Sequence, residues 1–151
     1  SSMVPTFENG QYLIVDEITY RFQEPKRGDV VIFRYPNDTK KFFIKRIIGL
    51  PGETVDVKKE ETIITNNENP NGFNLDQSYV ANHSEDNSHI ALKNDEYFVM
   101  GDNRNNSKDS RYTEVGFLDR SDLKGKVVFR YFPLNKLGTI EGHTYKELDE
   151  K

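Results

Sequence analysis

The 151-residue chain contains no cysteine. Disulfides, thiolate nucleophiles and Cys-ligated zinc are therefore excluded. Histidine is scarce: His83, His89 and His143 are the only three, and none lies three or four residues from another. A His-based metal site is not expected. No convincing Ser-His-acid triad forms either, because all three His sit in or near polar stretches. The P-loop and dinucleotide fingerprints are absent. The carboxylate pairs Glu60-Glu61 and Glu147 with Glu150 read as solvated faces. An excess of basic charge is also missing, with 21 Lys+Arg against 25 Asp+Glu and a formal net charge of −4. Sequence-independent nucleic-acid binding rests on phosphate neutralisation by Lys and Arg, so no nucleic-acid partner is expected. Long apolar runs are lacking as well. Mean hydropathy is −0.79, and the longest nearly apolar run, residues 42–50, contains Lys45 and Arg46. A membrane-spanning helix needs about 20 apolar residues. No signal peptide stands at the Ser-Ser-Met opening. By itself the chain reads as one soluble globular domain, opening at Ser1 as a fragment would.

Apolar residues make up only 34% of the chain, but they are concentrated in short clusters. These are Tyr12-Leu13-Ile14-Val15, Val30-Val31-Ile32-Phe33, residues 42–48, Tyr97-Phe98-Val99-Met100 and Val127-Val128-Phe129. They are rich in β-branched and aromatic types, and several are bounded by Gly, Pro, Asn or Asp, which is strand punctuation. Helical spacing over eleven or more residues is hard to find; one turn near 121–124 and a frayed helix after His143 are the exceptions. The expected class is mostly β, built of antiparallel sheets. Residues 60–94 differ: they are rich in Asn and polar residues and read as a loop-rich excursion carrying a hairpin or two. That excursion is too poor in apolar residues for a core of its own. The expected division is a β core of residues 1–57 and 95–140, a small inserted cap at 58–94 and a polar tail at 141–151.

Three segments offer chemistry. In Phe42-Phe43-Ile44-Lys45-Arg46-Ile47-Ile48, strand alternation puts Lys45 on one face with Phe43 and Ile47, and Arg46 on the other with Ile44 and Ile48. Desolvation lowers a Lys pKa, whereas Arg stays protonated. Lys45 is thus a candidate general base, the plain alternative being an edge-strand Lys that snorkels to water. Residues 101–111, Gly-Asp-Asn-Arg-Asn-Asn-Ser-Lys-Asp-Ser-Arg, hold one Gly and ten polar or charged side chains directly after a strand. Read plainly, this is a solvated loop. Ser107, Asp109 and Arg111 nevertheless alternate and can share a side, where an Asp and an Arg can pair. Finally, Pro5 presses Val4 into extended geometry, with Ser2 just ahead of it. Alone, that Ser means little.

Together these segments resemble the bacterial type I signal peptidases, membrane-bound serine proteases that remove signal peptides. Four blocks match in order: Ser2-Met3-Val4-Pro5-Thr6-Phe7 (Phe7 where the family has Leu), Arg27-Gly28-Asp29-Val30 through Pro36, Ile44-Lys45-Arg46 through Glu53, and residues 101–111. The resemblance implies a β core like that of signal peptidases and the SOS-repressor proteases, with a small loop-rich cap. It makes Ser2 the nucleophile and Lys45 the general base, and the Ser2 N–H one oxyanion donor, with a second upstream of Ser1. It makes Ser107 the hydroxyl that orients Lys45, and Asp109 and Arg111 a supporting ion pair. Met3, Phe7, Ile32, Phe43 and Ile44 match the shallow substrate pockets for small side chains. No cofactor is required. The implied partners are signal peptides of preproteins, membrane lipid and the translocation machinery. The implied location is the extracytoplasmic face of the cell membrane, anchored by an N-terminal helix ahead of this sequence. Gly116 stands further from Arg111 than in the family, which reads as a short loop insertion. The alternatives are a self-cleaving Ser/Lys protease, a non-catalytic binding or assembly factor, and an N-terminal nucleophile hydrolase using Ser1.

Overall fold

The computed structural model describes residues 2–8, 10–132 and 136–139. Ser1, the expected 141–151 tail and His143 lie outside them. The strands are β1 (Tyr12–Asp16), β2 (Val30–Tyr35), β3 (Asp38–Gly49), β4 (Thr54–Val57), β5 (Thr62–Thr65), β6 (Phe73–Asn74), β7 (Ser88–Ala91), β8 (Glu96–Met100), β9 (Leu118–Asp119), β10 (Leu123–Phe132) and β11 (Lys136–Thr139). All pair antiparallel. Helical structure among the described residues is limited to 3₁₀ turns at Thr19–Arg21, Arg104–Asn106 and Arg120–Asp122. The mostly β, antiparallel class is the observed one.

Among the described residues the strands form two sheets. The larger runs β1-β10-β2-β3-β8-β9 with β11 also on β10, and the smaller runs β6-β5-β4-β7. Strand β3 joins the two regions. Over residues 38–46 it pairs with β2, and it meets β8 only between Arg46 and Gly49. Among the described residues, the β3 edge opposite β2 therefore has no strand neighbour ahead of Arg46. Aromatic pairing fixes this part of the β2–β3 ladder. Phe43 lies opposite Phe33, packs edge-on to it at 6.1 Å and stacks on Tyr35 at 4.4 Å, contacts worth about 0.5–1.5 kcal/mol each beyond burial.

The side-chain period of two sorts the strands' residues into separate cores. Val31, Phe33 and Ile47 point into one cluster with Tyr97, Val99, Leu118 and Leu123. Ile48, Phe98 and Met100 point the other way, where Val55, Val57 and Ile64 of the smaller sheet meet them. The excursion thus shares a core with the larger sheet, and its sheet begins at Thr54. Gly49 permits the close approach: a Cβ there would sit 2.5 Å from Val55 and 2.9 Å from Leu92. A third cluster of Met3, Phe7, Val30 and Val127 pins the N-terminal segment onto the larger sheet.

Candidate active site

Ser2 is followed by a tight turn in which the Phe7 N–H donates to the Met3 carbonyl at 2.9 Å. Met3 and Phe7 are both buried, so Ser2 is held close to β3. There Lys45 Nζ lies 2.8 Å from Ser2 Oγ and 3.1 Å from the Ile44 carbonyl. At 2.8 Å the contact works in both protonation states: an ammonium donates to Oγ, and a neutral amine accepts the hydroxyl proton.

Lys45 is only 4% exposed. The snorkelling alternative is thereby set aside. Burial pushes its pKa down from 10.5 to about 8, while the Asp109 and then the Asp102 charges hold it up against a larger fall. The Phe43 ring lies 4.7 Å from Nζ. A base that exchanges its proton near neutrality needs this balance between desolvation and nearby carboxylates.

Arg46, on the opposite face, is fully buried. It makes a two-point pair with Asp102, Nε to Oδ1 at 2.9 Å and Nη2 to Oδ2 at 2.8 Å, and Nη1 donates to the Gly28 carbonyl at 2.9 Å. Its guanidinium stacks 4.4 Å from the Tyr79 ring centre. Thr6 Oγ1 also donates to Asp102, at 2.5 Å. Asp102 thus ties the Ser2 segment to β3. The sequence reading left Arg46 and Asp102 out of the site; its only clue was a charged residue alternating with large apolar ones.

The loop after β8 closes over the pair. The Asn103 N–H donates to the Ser2 carbonyl at 2.8 Å. Asp109 is a fully buried hub. It accepts the Gly101 N–H at 2.9 Å, the Ser107 hydroxyl at 2.6 Å and Arg111 Nε at 2.8 Å. The alternating Ser107, Asp109 and Arg111 are therefore brought together. The Ser107 hydroxyl donates to Asp109, the charged and stronger acceptor. The hydrogen bonds of Lys45 go to Ser2 and Ile44 instead. Having donated its proton, Ser107 Oγ keeps the capacity to accept one.

Beside Ser2 and Lys45 opens a cavity of about 760 Å³. Its lining includes the apolar Met3, Phe7, Phe43 and Ile44 and, from the loop after β8, Asn105, Asn106, Ser107 and Tyr112. Ile32 stands opposite Ile44 in the β2–β3 register but is not part of the lining, being one strand further from the opening. Ser107 was foreseen as a site residue, but Asn105, Asn106, Lys108, Tyr112 and Glu114 of the lining were not; a polar loop gives no sign of which residues turn inward. No group of three His, Asp or Glu poised for a metal occurs among the described residues.

Residues 1–132 match the family described as signal peptidase, peptidase S26. The chain is similar to the probable signal peptidase I-2 of Synechocystis sp., at 38% identity over 99% of this chain and 68% of that protein. It is also similar to a signal peptidase I of Leptolyngbya laminosa, at 38% identity over 92% of this chain and 68% of that one. The signal peptidase I S of Bacillus subtilis is 32% identical over 90% of this chain and 75% of its own length. Among solved structures, a signal peptidase I from Enterococcus faecalis superposes with a TM-score of 0.57 at 31% identity, covering 69% of this chain and 97% of that one.

Proposed function

Because the chain belongs to the signal peptidase family, peptidase S26, we propose that it is a serine endopeptidase that removes signal peptides from preproteins, with Ser2 as nucleophile and Lys45 as general base. The observation that carries this reading is the 2.8 Å contact between Lys45 Nζ and Ser2 Oγ. A Ser hydroxyl is a weak nucleophile until a base takes its proton. Neutral Lys45 accepts that proton as Oγ attacks the scissile carbonyl carbon, and a tetrahedral oxyanion forms near the Ser2 N–H. The Lys45 ammonium then gives the proton to the leaving amine, and the C–N bond breaks. The mature protein's new N-terminus departs, and the signal peptide stays esterified to Ser2. Lys45 next deprotonates a water that attacks the ester, and the proton returns to Ser2 Oγ as the acid leaves. No cofactor enters these steps.

Ser107 bears on Lys45 through Asp109, to which its hydroxyl donates at 2.6 Å. Asp109 stabilises the ammonium formed in each step, and Arg111 anchors Asp109. The substrate lies extended along the β3 edge that faces away from β2, a strand-addition mode. In this reading Met3, Phe7, Phe43 and Ile44, all on the cavity lining, receive small side chains, as in an Ala-x-Ala cleavage site. No helix among the described residues is long and apolar enough to cross a membrane. On the family reading the protein is held at the membrane by an N-terminal helix, with the catalytic domain on the extracytoplasmic face beside lipid and the translocation machinery. The test is cleavage of a signal-peptide-bearing precursor by the full-length protein in detergent. Ser2→Ala and Lys45→Ala are each expected to abolish cleavage. Wild-type activity in either sinks the reading, and binding without cleavage by the parent favours an assembly factor instead.

A further inference from the structure

The loop joining β6 to β7, residues 75–87, turns back from the smaller sheet onto the loop that carries Ser107, Asp109 and Arg111. Several of its side chains hold that loop. Gln77 Oε1 accepts from Arg104 Nη1 at 2.5 Å. Ser84 Oγ accepts from Arg111 Nη1 at 2.7 Å, and Asp86 Oδ2 accepts from the Tyr112 hydroxyl at 2.7 Å. Asn82 is the member that leads to the nucleophile. Its Nδ2 donates to Asn103 Oδ1 at 2.8 Å, and its Oδ1 accepts the Asn105 N–H at 3.0 Å. The two backbones also meet in an isolated parallel bridge at Asn82 and Asn103. The Asn103 N–H then reaches the Ser2 carbonyl at 2.8 Å.

We infer that Asn82 is a positioning residue for the proposed reaction, acting on Ser2 through Asn103. The inference rests on the reading of Ser2 as nucleophile. Both ends of the Asn82 amide are used, and its two bonds land on either side of Arg104. This fixes the start of the Arg104–Asn106 turn in rotation as well as in place. The Asn103 N–H can then hold the Ser2 carbonyl in one direction. Carbonyl and Oγ branch from the same Ser2 backbone, so a rotation that frees the carbonyl also swings Oγ away from Lys45. Asn82 does not line the cavity, so it reaches the chemistry through the residues it holds. The inserted sheet is in this way coupled to the nucleophile.

The test compares Asn82→Ala with the parent, in the full-length protein and on a signal-peptide substrate. Misplacing a reacting group by a fraction of an ångström to 1 Å costs roughly ten- to a hundredfold, and kcat is expected to fall by about that much. KM should change little, because Asn82 is outside the cavity. The acid limb of the pH profile should stay in place, because the burial and carboxylates around Lys45 are unaltered. Asn82→Asp keeps the acceptor for Asn105 but loses the donor to Asn103, and its kcat should fall between the two. Glu85→Ala is the control: on the same loop, Glu85 pairs with exposed Lys59 at 2.9 Å, and its loss should leave kcat unchanged. A wild-type kcat in Asn82→Ala overturns the inference, even with a lowered Tm, since that combination marks a merely structural clamp. Should Asn82→Ala not fold, Asn82→Asp decides by the same criterion. If Ser2→Ala cleaves normally, the underlying reading has failed; if Ser2→Ala is dead and Asn82→Ala is normal, only the inference has.

Discussion

Gly101 is the position where the smallest chemical change should have a large effect on activity. A Cβ built there lies 2.2 Å from Ser107 Oγ, 2.6 Å from Ser107 Cβ and 2.7 Å from the Ser2 carbonyl oxygen. Contacts below 3.0 Å are essentially never made by a real Cβ, so Gly101→Ala must drive the two serines away from the loop. Ser107 Oγ could escape by rotating, but its Cβ and the Ser2 carbonyl belong to the backbone framework. Opening those contacts to 3.0 Å or more moves each by several tenths of an ångström. Rotation of Ser107 would also break its 2.6 Å bond to Asp109, and retreat of Ser2 would stretch the 2.8 Å contacts to Lys45 and Asn103. Displacement on this scale costs up to about a hundredfold in rate, and overpacking of a buried site costs about 1–3 kcal/mol in stability. Steady-state cleavage kinetics should show the loss mainly in kcat, and thermal unfolding should report the second cost. A Gly101→Ala enzyme within threefold of the parent in kcat would refute the argued tightness of Ser2 against this loop.

Two further outcomes follow from the buried charges. Asp102→Asn leaves the fully buried Arg46 without its counter-charge and should cost about 3–5 kcal/mol of stability, read as a fall in urea midpoint at constant slope; a loss below about 1 kcal/mol contradicts the assigned pairing. Lys45 titrates near 8 folded against 10.5 in its ordinary state, so between those values the unfolded chain holds the extra proton and stability rises with pH; below 8 both states are protonated and the full penalty of about 3 kcal/mol applies. Lys45→Met removes that penalty and should be inactive yet roughly 1–3 kcal/mol more stable at pH 7, with the advantage shrinking towards pH 10.5; a variant no more stable than the parent at pH 7 contradicts the burial argument.

Much of the larger sheet was legible because its strands announce themselves locally. The five apolar clusters lie in β1, β2, β3, β8 and β10, and the turn expected near 121–124 overlaps the 3₁₀ turn Arg120–Asp122, closed by a reciprocal Asp119–Asp122 cap. The smaller sheet was less visible. Its strands are four residues or fewer, and their inner faces are completed by Ile48, Phe98 and Met100 from elsewhere in the chain. At the site, alternation correctly separated Lys45 from Arg46, but it left one of them free to face water. Both are buried, because Arg46 finds Asp102 far along the chain, and a partner at such a separation leaves no local mark. Asn82 was hidden for the same reason: in an Asn-rich stretch nothing distinguishes the one amide that grips Asn103. Ser2 became legible only through the resemblance, since a Ser near a chain end has no pattern of its own.

The central claim is that a desolvated, neutral Lys45 takes the Ser2 proton. The pH dependence of kcat/KM tests it most directly, since the acid limb reports the free enzyme's essential base. Activity should rise with pH through a midpoint near 8, where Lys45 loses its proton. An acid limb near 10.5, the value for an ordinary exposed lysine, would contradict the account, as would a profile flat across pH 7 to 9.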